Sequence, residues 1–133
     1  MTTSPFEIRG LIEGFYGHPW THQQRLSMID CIAARGMNLF MYSPKDDRLL
    51  RERWRDPYDD EALARLGELI ERCRQRGLGF SWCISPGLSI CYSDPRDLGA
   101  LRATIERVLE LGAGRVGLFL DDLPTELQHQ ADV

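Results

Sequence analysis

The sequence lacks the features that would attach a protein to a membrane or to nucleic acid. It has no run of about 18 apolar residues, which a membrane-spanning helix requires. Residues 1–7 have neither the basic start nor the apolar core of a secretory signal peptide. The 16 lysines and arginines are outnumbered by 20 acidic residues, and the net charge of −4 provides no attraction to nucleic acid or an anionic membrane. We therefore expect a cytoplasmic protein that binds neither.

Cysteine patterns and phosphate-binding motifs are also missing. The four cysteines lie at positions 31, 73, 83 and 91, and no two of them have the C-x-x-C spacing of a zinc site. The three histidines form no ligand pattern with them. Neither G-x-G-x-x-G nor a P-loop occurs, so nothing in the sequence favours a nucleotide. These absences predict reduced, mostly buried thiols and neither a metal site nor a disulfide framework.

What the sequence does contain is the composition of one globular domain. It has 133 residues, of which 43% are hydrophobic and 27% are charged. This length can bury a real core but is short for two domains of ordinary size. Because no linker or low-complexity stretch interrupts it, we expect residues 1–133 to form one unit without a second domain.

Strand and helix patterns alternate along the chain. Apolar or β-favouring runs predict strands at 6–12, 37–42, 78–84 and 116–120. Amphipathic stripes between them predict helices, each of which is opened by a capping residue and closed by a glycine. The residues predicted to line the inner face of the third helix are Leu98, Leu101, Ile105, Val108 and Leu109. Strands recur roughly every 30–40 residues, the length of one βα unit, which predicts an α/β fold with a parallel sheet.

Two architectures fit this order of elements. One is half of an eight-stranded (β/α)8 barrel, and the other is a small doubly wound sheet of the flavodoxin type. Each predicted strand ends in polar or glycine-rich sequence, and the four ends would lie at the same edge of a parallel sheet. An active face built in this way is typical of a barrel. The flavodoxin-like alternative is weaker because no phosphate-binding loop is present.

The fourth predicted strand ends in two adjacent aspartates, Asp121 and Asp122. Paired carboxylates at the carboxyl end of a buried parallel strand are well placed for acid–base catalysis. Because neighbouring negative charges make ionisation costly, one of the pair can hold a proton closer to neutral pH. Alternatively, one aspartate caps the next helix and the other is a solvated loop residue. Successive strand residues point to opposite faces, so a shared site requires the backbone to turn at residues 121–123.

Several short motifs follow one another at the ends of the predicted strands. They are RGLIEGFYGHPWT at 9–21, YSPKDD at 42–47, WRDPY at 54–58, ISPG at 84–87 and the pair Asp121-Asp122. In kind and order they closely resemble the motifs of the family-84 glycoside hydrolases. These are the β-N-acetylglucosaminidases that include O-GlcNAcase and bacterial enzymes often described as hyaluronidases. The resemblance covers nearly the whole chain, from near Arg9 to near Pro124.

The resemblance implies a (β/α)8 catalytic barrel, of which this chain would hold the first four βα units. It also implies a retaining mechanism without a metal or an organic cofactor. In that family the 2-acetamido oxygen of the substrate attacks the anomeric carbon and forms an oxazoline intermediate. By position, Asp121 would accept the acetamide N–H and support the developing positive charge. Asp122 would be the general acid that protonates the leaving oxygen, and then the general base for water.

The resemblance further implies that residues of the first two loops bind the substrate. Gly14 matches a position where the backbone lies against the sugar, and Lys45 matches a lysine near the sugar hydroxyls and the acetamide pocket. Taken alone, Lys45 is more simply a solvated loop lysine paired with a neighbouring aspartate. Phe15 and Tyr16 could stack on the sugar or pack within the loop. Glu13 is expected to organise the loop rather than to take part in catalysis.

The chain departs from the family pattern in length. A complete family barrel needs four strands more than the four predicted here. The tyrosine, asparagines and aspartate with which the later part of the barrel binds the sugar have no counterpart in these 133 residues. Half a barrel leaves two unpaired strand edges that could drive self-association. Two functions therefore stay open. One is the N-terminal half of a β-N-acetylglucosaminidase that acts on an N-acetylglucosamine-containing glycan or glycoprotein, and the other is a non-catalytic half-barrel that binds sugar or dimerises.

Overall fold

The computed structural model describes residues 4–133. In this part of the chain, four strands of one parallel sheet alternate with three helices. The strands are β1 (Gly10–Glu13), β2 (Leu39–Tyr42), β3 (Gly79–Ile84) and β4 (Arg115–Leu118). The helices are α1 (His22–Ala34), α2 (Asp60–Gln75) and α3 (Pro95–Glu110), with short 3-10 turns at Arg48–Leu50, Pro86–Leu88 and Gln130–Asp132. The predicted α/β alternation is confirmed.

The order of the strands distinguishes between the two predicted architectures. Each strand pairs in parallel with the strand that precedes it in the chain, so the sheet order is β1-β2-β3-β4. A flavodoxin-type sheet would instead place its first strand between the second and the third. Sequential parallel strands joined by helical crossovers are the arrangement of a (β/α)8 barrel. The fold is therefore of the barrel type.

Local sequence signals account for where the helices begin and end. The Thr21 hydroxyl accepts a hydrogen bond from the Gln24 backbone N–H, and the Gln24 side chain accepts one from the Thr21 N–H, which together open α1. Asp59 caps the first turn of α2, and Asp94, followed by a proline, caps α3. A glycine with positive φ follows each of the three helices, as predicted.

The core lies between the sheet and the helices. α2 buries its predicted apolar stripe, which consists of Leu63, Leu66, Leu69, Ile70 and Cys73. Trp54 and Trp82 are fully buried, which confirms that they are core residues. Their indole N–H groups donate to Ser89 Oγ at 3.0 Å and to Tyr58 Oη at 3.1 Å, respectively. The long loop after β2 is thereby anchored to β3 and to the loop that follows β3.

The first strand is shorter than predicted. β1 starts at Gly10 rather than at Phe6, and Phe6 and Ile8 are 70% and 58% exposed. β1 pairs with β2, and the ladder between them begins opposite Gly10, so the residues upstream lie beyond it. The backbone N–H of Arg9, just before β1, donates to the side chain of Asn38 at 2.8 Å instead of to a backbone carbonyl of β2.

The inner face of α3 is narrower than predicted. Val108 is buried, and Leu101 and Ile105 pack against the core. Leu98 and Leu109 were expected on the same face but are 48% and 45% exposed. They lie on the flank of the helix, beside the i, i+4, i+7 row that faces the sheet. The prediction for these two leucines was therefore wrong.

The cysteines agree with the predicted reduced and mostly buried thiols. The four cysteines are free thiols, and three of them are buried. Burial raises the pKa of the Cys73 thiol to about 12, so this thiol stays protonated and unreactive at neutral pH.

Within residues 4–133, no helix combines the length and the apolarity needed to cross a bilayer.

Gly10 of β1 leaves no room for a side chain beside Leu39 of β2, and an alanine there should destabilise the fold. A β-carbon at Gly10 would lie 2.6 Å from the carbonyl oxygen of Leu39, so the strand pair would have to separate. We expect Gly10→Ala to lower the free energy of unfolding by about 1–3 kcal/mol in urea denaturation. The matched control is Gly99→Ala in α3, where the methyl meets open space and should raise stability by about 0.5–1 kcal/mol. A Gly10→Ala protein as stable as the wild type would contradict the close approach.

Candidate active site

The residues predicted to form the site lie in loops at one edge of the sheet. Because the four strands are parallel, their carboxyl ends meet at that edge. The six predicted residues are Gly14, Phe15 and Tyr16 after β1, Lys45 after β2, and Asp121 and Asp122 after β4. Since β3 lies between β2 and β4, any contact between the second and the fourth loop has to reach across the end of β3.

The chain turns sharply at the aspartate pair. Asp122 has a φ of 54°, in the left-handed region that residues other than glycine seldom adopt. This turn lets both carboxylates face one cation, since Lys45 Nζ lies 3.0 Å from Asp121 Oδ2 and 4.0 Å from Asp122 Oδ2. In a regular strand the two side chains would point to opposite faces. The structure thus meets the backbone requirement that the sequence imposes on a shared site.

The turn is supported by the loop after β3. Leu123, the residue that follows the aspartate pair, packs directly over Gly87. A β-carbon at Gly87 would collide with the Leu123 side chain, so the glycine makes room for the turn. The glycine of the ISPG motif therefore has a packing role beside Asp122.

Lys45 is a largely buried cation at the centre of the site. Its side chain is 8% exposed, and its ammonium group lies 5.7 Å from the centroid of the Tyr16 ring. Its partner Asp121 is 76 residues away in the sequence. Lys45 is therefore not the solvated loop lysine, paired with its own neighbours, that local sequence alone favours. It is also the only lysine in the chain.

The two carboxylates have different hydrogen-bond partners. The hydrogen bond from Lys45 holds the pKa of Asp121 below its usual value, although partial burial opposes the shift. The positive charges of Lys45 and Arg51 lower this pKa further. Asp121 is therefore an anion at neutral pH, as a group that stabilises positive charge must be. Asp122 instead accepts a hydrogen bond from Tyr16 Oη at 2.7 Å.

Arg51 belongs to this cluster, and sequence reasoning missed it. Its Nη1 donates to Tyr16 Oη at 2.9 Å, and its guanidinium carbon lies 5.6 Å from the centroid of the Tyr16 ring. It lies in the long loop after β2, which contains several arginines and no periodic pattern that distinguishes one of them. Only its closeness in sequence to Lys45 could have indicated it.

A hollow of about 340 Å³ opens beside Asp121 and Lys45. Its lining residues are Ile12, Gly14, Phe15, Ser43, Lys45, Phe119 and Asp121. This volume is within the range of small-molecule sites. A larger hollow of about 540 Å³ lies between α1 and α2, but its lining includes neither aspartate of the pair. Of these two hollows, only the smaller one is lined by Asp121 and Lys45.

The aromatic residues of the first loop take two different positions. Phe15 lines the hollow and also packs edge-on against Trp20, with ring centroids 5.3 Å apart. Tyr16 does not line the hollow and is bound to Asp122 through its hydroxyl. Gly14 lies between β1 and these rings, at the wall of the hollow. Sugar contacts of Gly14, Phe15 and Tyr16 stay predictions.

Glu13 occupies a different place from the aspartate pair although it also ends a strand. It is fully buried, and it accepts hydrogen bonds from the Trp20 backbone N–H at 3.0 Å and from Arg25 at 2.7 and 2.9 Å. These contacts join β1 to the far end of its own loop and to α1. The arrangement agrees with the expected loop-organising role.

Strand order and site together define a class of protein. The sheet has the strand order of a (β/α)8 barrel, and it carries an acid pair and a buried lysine at its carboxyl edge, where barrel enzymes hold their active sites. The comparison with known families then identifies which one. The beta-N-acetylglucosaminidase family model matches residues 9–133, and the chain belongs to this family, family 84 of the glycoside hydrolases.

Individual relatives agree with the family. The chain is 35% identical over 114 residues to the Protein O-GlcNAcase of Rattus norvegicus and to that of Mus musculus. Each match covers 86% of this chain and 12% of the relative, so the chain spans about an eighth of the length of these proteins. A solved structure of a mutant Thermobaculum terrenum O-GlcNAc hydrolase matches with a TM-score of 0.93 at 45% identity, over 96% of this chain and 27% of that one.

Removing the charge of Lys45 should raise the pKa of Asp121, since its main stabilising hydrogen bond is lost. We expect Lys45→Met to move the Asp121 titration to higher pH, observed by carbon-13 NMR of the carboxyl groups in aspartate-labelled protein. Asp30 is the internal control, because its partners are Arg76 and Arg72 rather than Lys45. Burial raises the pKa of Asp30, but the hydrogen bonds from Arg76 and Arg72 outweigh this effect, so the pKa lies below its usual value. Its titration should not move. An unchanged Asp121 titration in Lys45→Met would contradict the pairing.

Replacing Glu13 should affect stability more than replacing an exposed glutamate does. Glu13→Gln leaves the Arg25 guanidinium without its buried counter-charge, which should cost at least about 2 kcal/mol of unfolding free energy in urea denaturation. Glu61→Gln is the matched control, because Glu61 pairs with Arg65 at the surface and should cost less than about 0.5 kcal/mol. A Glu13→Gln protein of wild-type stability that has lost activity would instead indicate a role in catalysis.

Proposed function

We propose that this chain supplies the catalytic carboxylates of a glycoside hydrolase that removes terminal β-linked N-acetylglucosamine with retention of configuration. Membership of the beta-N-acetylglucosaminidase family supports the reaction class. Relatives named O-GlcNAcase and O-GlcNAc hydrolase support the sugar. The observation that carries the proposal is the Lys45 ammonium held between Asp121 and Asp122, beside a hollow of ligand size.

In the first half of the proposed reaction, the substrate supplies its own nucleophile. Asp121, an anion beside Lys45, accepts the N–H of the 2-acetamido group and directs the acetamido oxygen toward the anomeric carbon. As this oxygen bonds to the anomeric carbon, the bond from that carbon to the leaving oxygen breaks, and Asp122 gives the leaving oxygen its proton. The positive charge that develops on the oxazoline ring is stabilised by the Asp121 anion.

In the second half, Asp122 is the base. It takes a proton from a water molecule whose oxygen bonds to the anomeric carbon, and the bond from that carbon to the acetamido oxygen breaks. The acetamido group is thereby restored, and two inversions at one carbon give net retention. The division of roles requires one aspartate that stays charged, for which the contact of Asp121 with Lys45 is the support. The scheme uses no metal and no organic cofactor.

Residues 1–133 form, in this proposal, the N-terminal half of the catalytic barrel, and further βα units are needed for full activity. The strand order supports a barrel, and the chain covers 27% of the Thermobaculum terrenum protein. One observation favours a second candidate function, a non-catalytic half-barrel that binds sugar or pairs with another copy. Leu118 on β4 and Ile12 on β1 are 52% and 43% exposed, which leaves apolar surface on both edge strands.

Aryl N-acetyl-β-glucosaminides with good and poor leaving groups test the proposed roles. They should be assayed with the chain and with any longer protein that its gene encodes. We expect Asp122→Asn to lose about 10²–10⁴-fold in turnover of poor leaving groups and much less for activated ones, which need little protonation. Asp121→Asn should reduce both about equally, because formation of the oxazoline itself suffers.

The matched control is Asp30→Asn, which removes an ion-paired aspartate between α1 and α2 and should keep wild-type turnover. Equal losses on both substrate types for Asp122→Asn would contradict its role as the general acid. The non-catalytic half-barrel would be favoured instead if neither the 133-residue chain nor the longer protein turned over any substrate while both bound N-acetylglucosamine.

A further inference from the structure

A chain of two hydrogen bonds leads from Arg51 to Asp122. Arg51 Nη1 lies 2.9 Å from Tyr16 Oη, and Tyr16 Oη lies 2.7 Å from Asp122 Oδ2. A guanidinium group can only donate, and an ionised carboxylate can only accept, so both directions follow when Asp122 is ionised. Tyr16 therefore accepts from Arg51 and directs its own proton to the carboxylate of Asp122.

This direction has an electrostatic consequence for Asp122. A hydrogen bond that is donated to a carboxylate stabilises the charged form of that carboxylate. A guanidinium group that donates to the phenol oxygen polarises the hydroxyl, and linked hydrogen bonds strengthen one another. Arg51 therefore makes the Tyr16 hydroxyl a stronger donor to Asp122 than an isolated tyrosine would be.

Other charges also face Asp122. Lys45 Nζ, 4.0 Å away, favours the anion, and the neighbouring anion Asp121 opposes it. Lys45 and Arg51 also hold the Tyr16 ring in place through cation–π contacts. Lys45 Nζ and Arg51 Cζ lie 5.7 and 5.6 Å from the centroid of this ring. Tyr16 is 61% exposed, so these contacts rather than burial determine where its hydroxyl points.

We propose that Arg51 is a positioning residue that acts through the Tyr16 hydroxyl to orient the Asp122 carboxylate and to favour its anionic form. Arg51 does not line the hollow beside Asp121, so its effect on the reaction is indirect. Its consequence for catalysis rests on the proposed function, in which Asp122 has to release a proton in one step and take one up in the next. By favouring the anion, Arg51 assists the release of the proton to the leaving oxygen.

Carbon-13 NMR of aspartate-labelled protein tests the electrostatic part without any need for turnover. The Asp122 signal is assigned by its absence in Asp122→Asn. We expect Arg51→Gln and Tyr16→Phe each to move the Asp122 titration to higher pH by about half a pH unit or more. In an active form of the protein, the basic limb of the profile of kcat/KM against pH should move in the same direction.

A double variant separates action through Tyr16 from a direct effect of charge. If Arg51 acts through the hydroxyl, Arg51→Gln should add little to the shift already caused by Tyr16→Phe. The matched control is Arg48→Gln, which removes an exposed arginine of the same loop that pairs with Glu52 and should leave the titration unchanged.

Additive shifts in the double variant, or a shift as large in Arg48→Gln, would overturn the proposal. An unmoved Asp122 titration in Arg51→Gln would overturn it as well. Loss of the proposed function is a separate outcome: a protein without turnover in which Arg51→Gln still moves the Asp122 titration supports the inference and counts only against the glycosidase activity.

Discussion

The site depends on one buried ammonium group shared by two adjacent carboxylates. Lys45 extends from the loop after β2, past the end of β3, to the aspartates that follow β4. Without this cation, two negative charges on successive residues would repel each other at the mouth of a partly apolar hollow. With it, Asp121 is held as an anion, and the left-handed turn at Asp122 places the second carboxylate within reach of the same group. The contact thus combines an electrostatic constraint with a constraint on the backbone.

The acids at the strand ends divide into two kinds by what their oxygens bind. Glu13 is satisfied by Arg25 and by the backbone of its own loop. Asp47 accepts from Tyr42 Oη at 2.9 Å and from the Leu49 N–H at 3.0 Å. Such acids fix loops, since their hydrogen-bonding capacity is used within the fold. The aspartate pair is about half exposed beside the hollow and keeps capacity for a substrate.

The resemblance to the family-84 hydrolases and the physical reading of the site support each other at particular residues. The resemblance implied a lysine near the acetamide pocket, and the structure gives Lys45 a definite partner in Asp121. The structure also explains why the ISPG motif ends in a glycine. A side chain at Gly87 would collide with Leu123, which follows the aspartate pair. Arg51, by contrast, was not part of any motif that the sequence suggested, and it extends the set of charges around the pair.

The sequence by itself determined what depends on near neighbours along the chain. Helix caps, glycine stops and the apolar stripe of α2 were predictable because they follow from hydrogen bonds and spacings within a few residues. The extent of β1 and the exposure of Leu98 and Leu109 were not, because they depend on which elements pack beside them. Only the tertiary structure decided that Lys45 binds Asp121 and that Arg51 binds Tyr16. These partners are 76 and 35 residues apart, and their meeting depends on the order of the strands and on the turn of each loop, which no local pattern specifies.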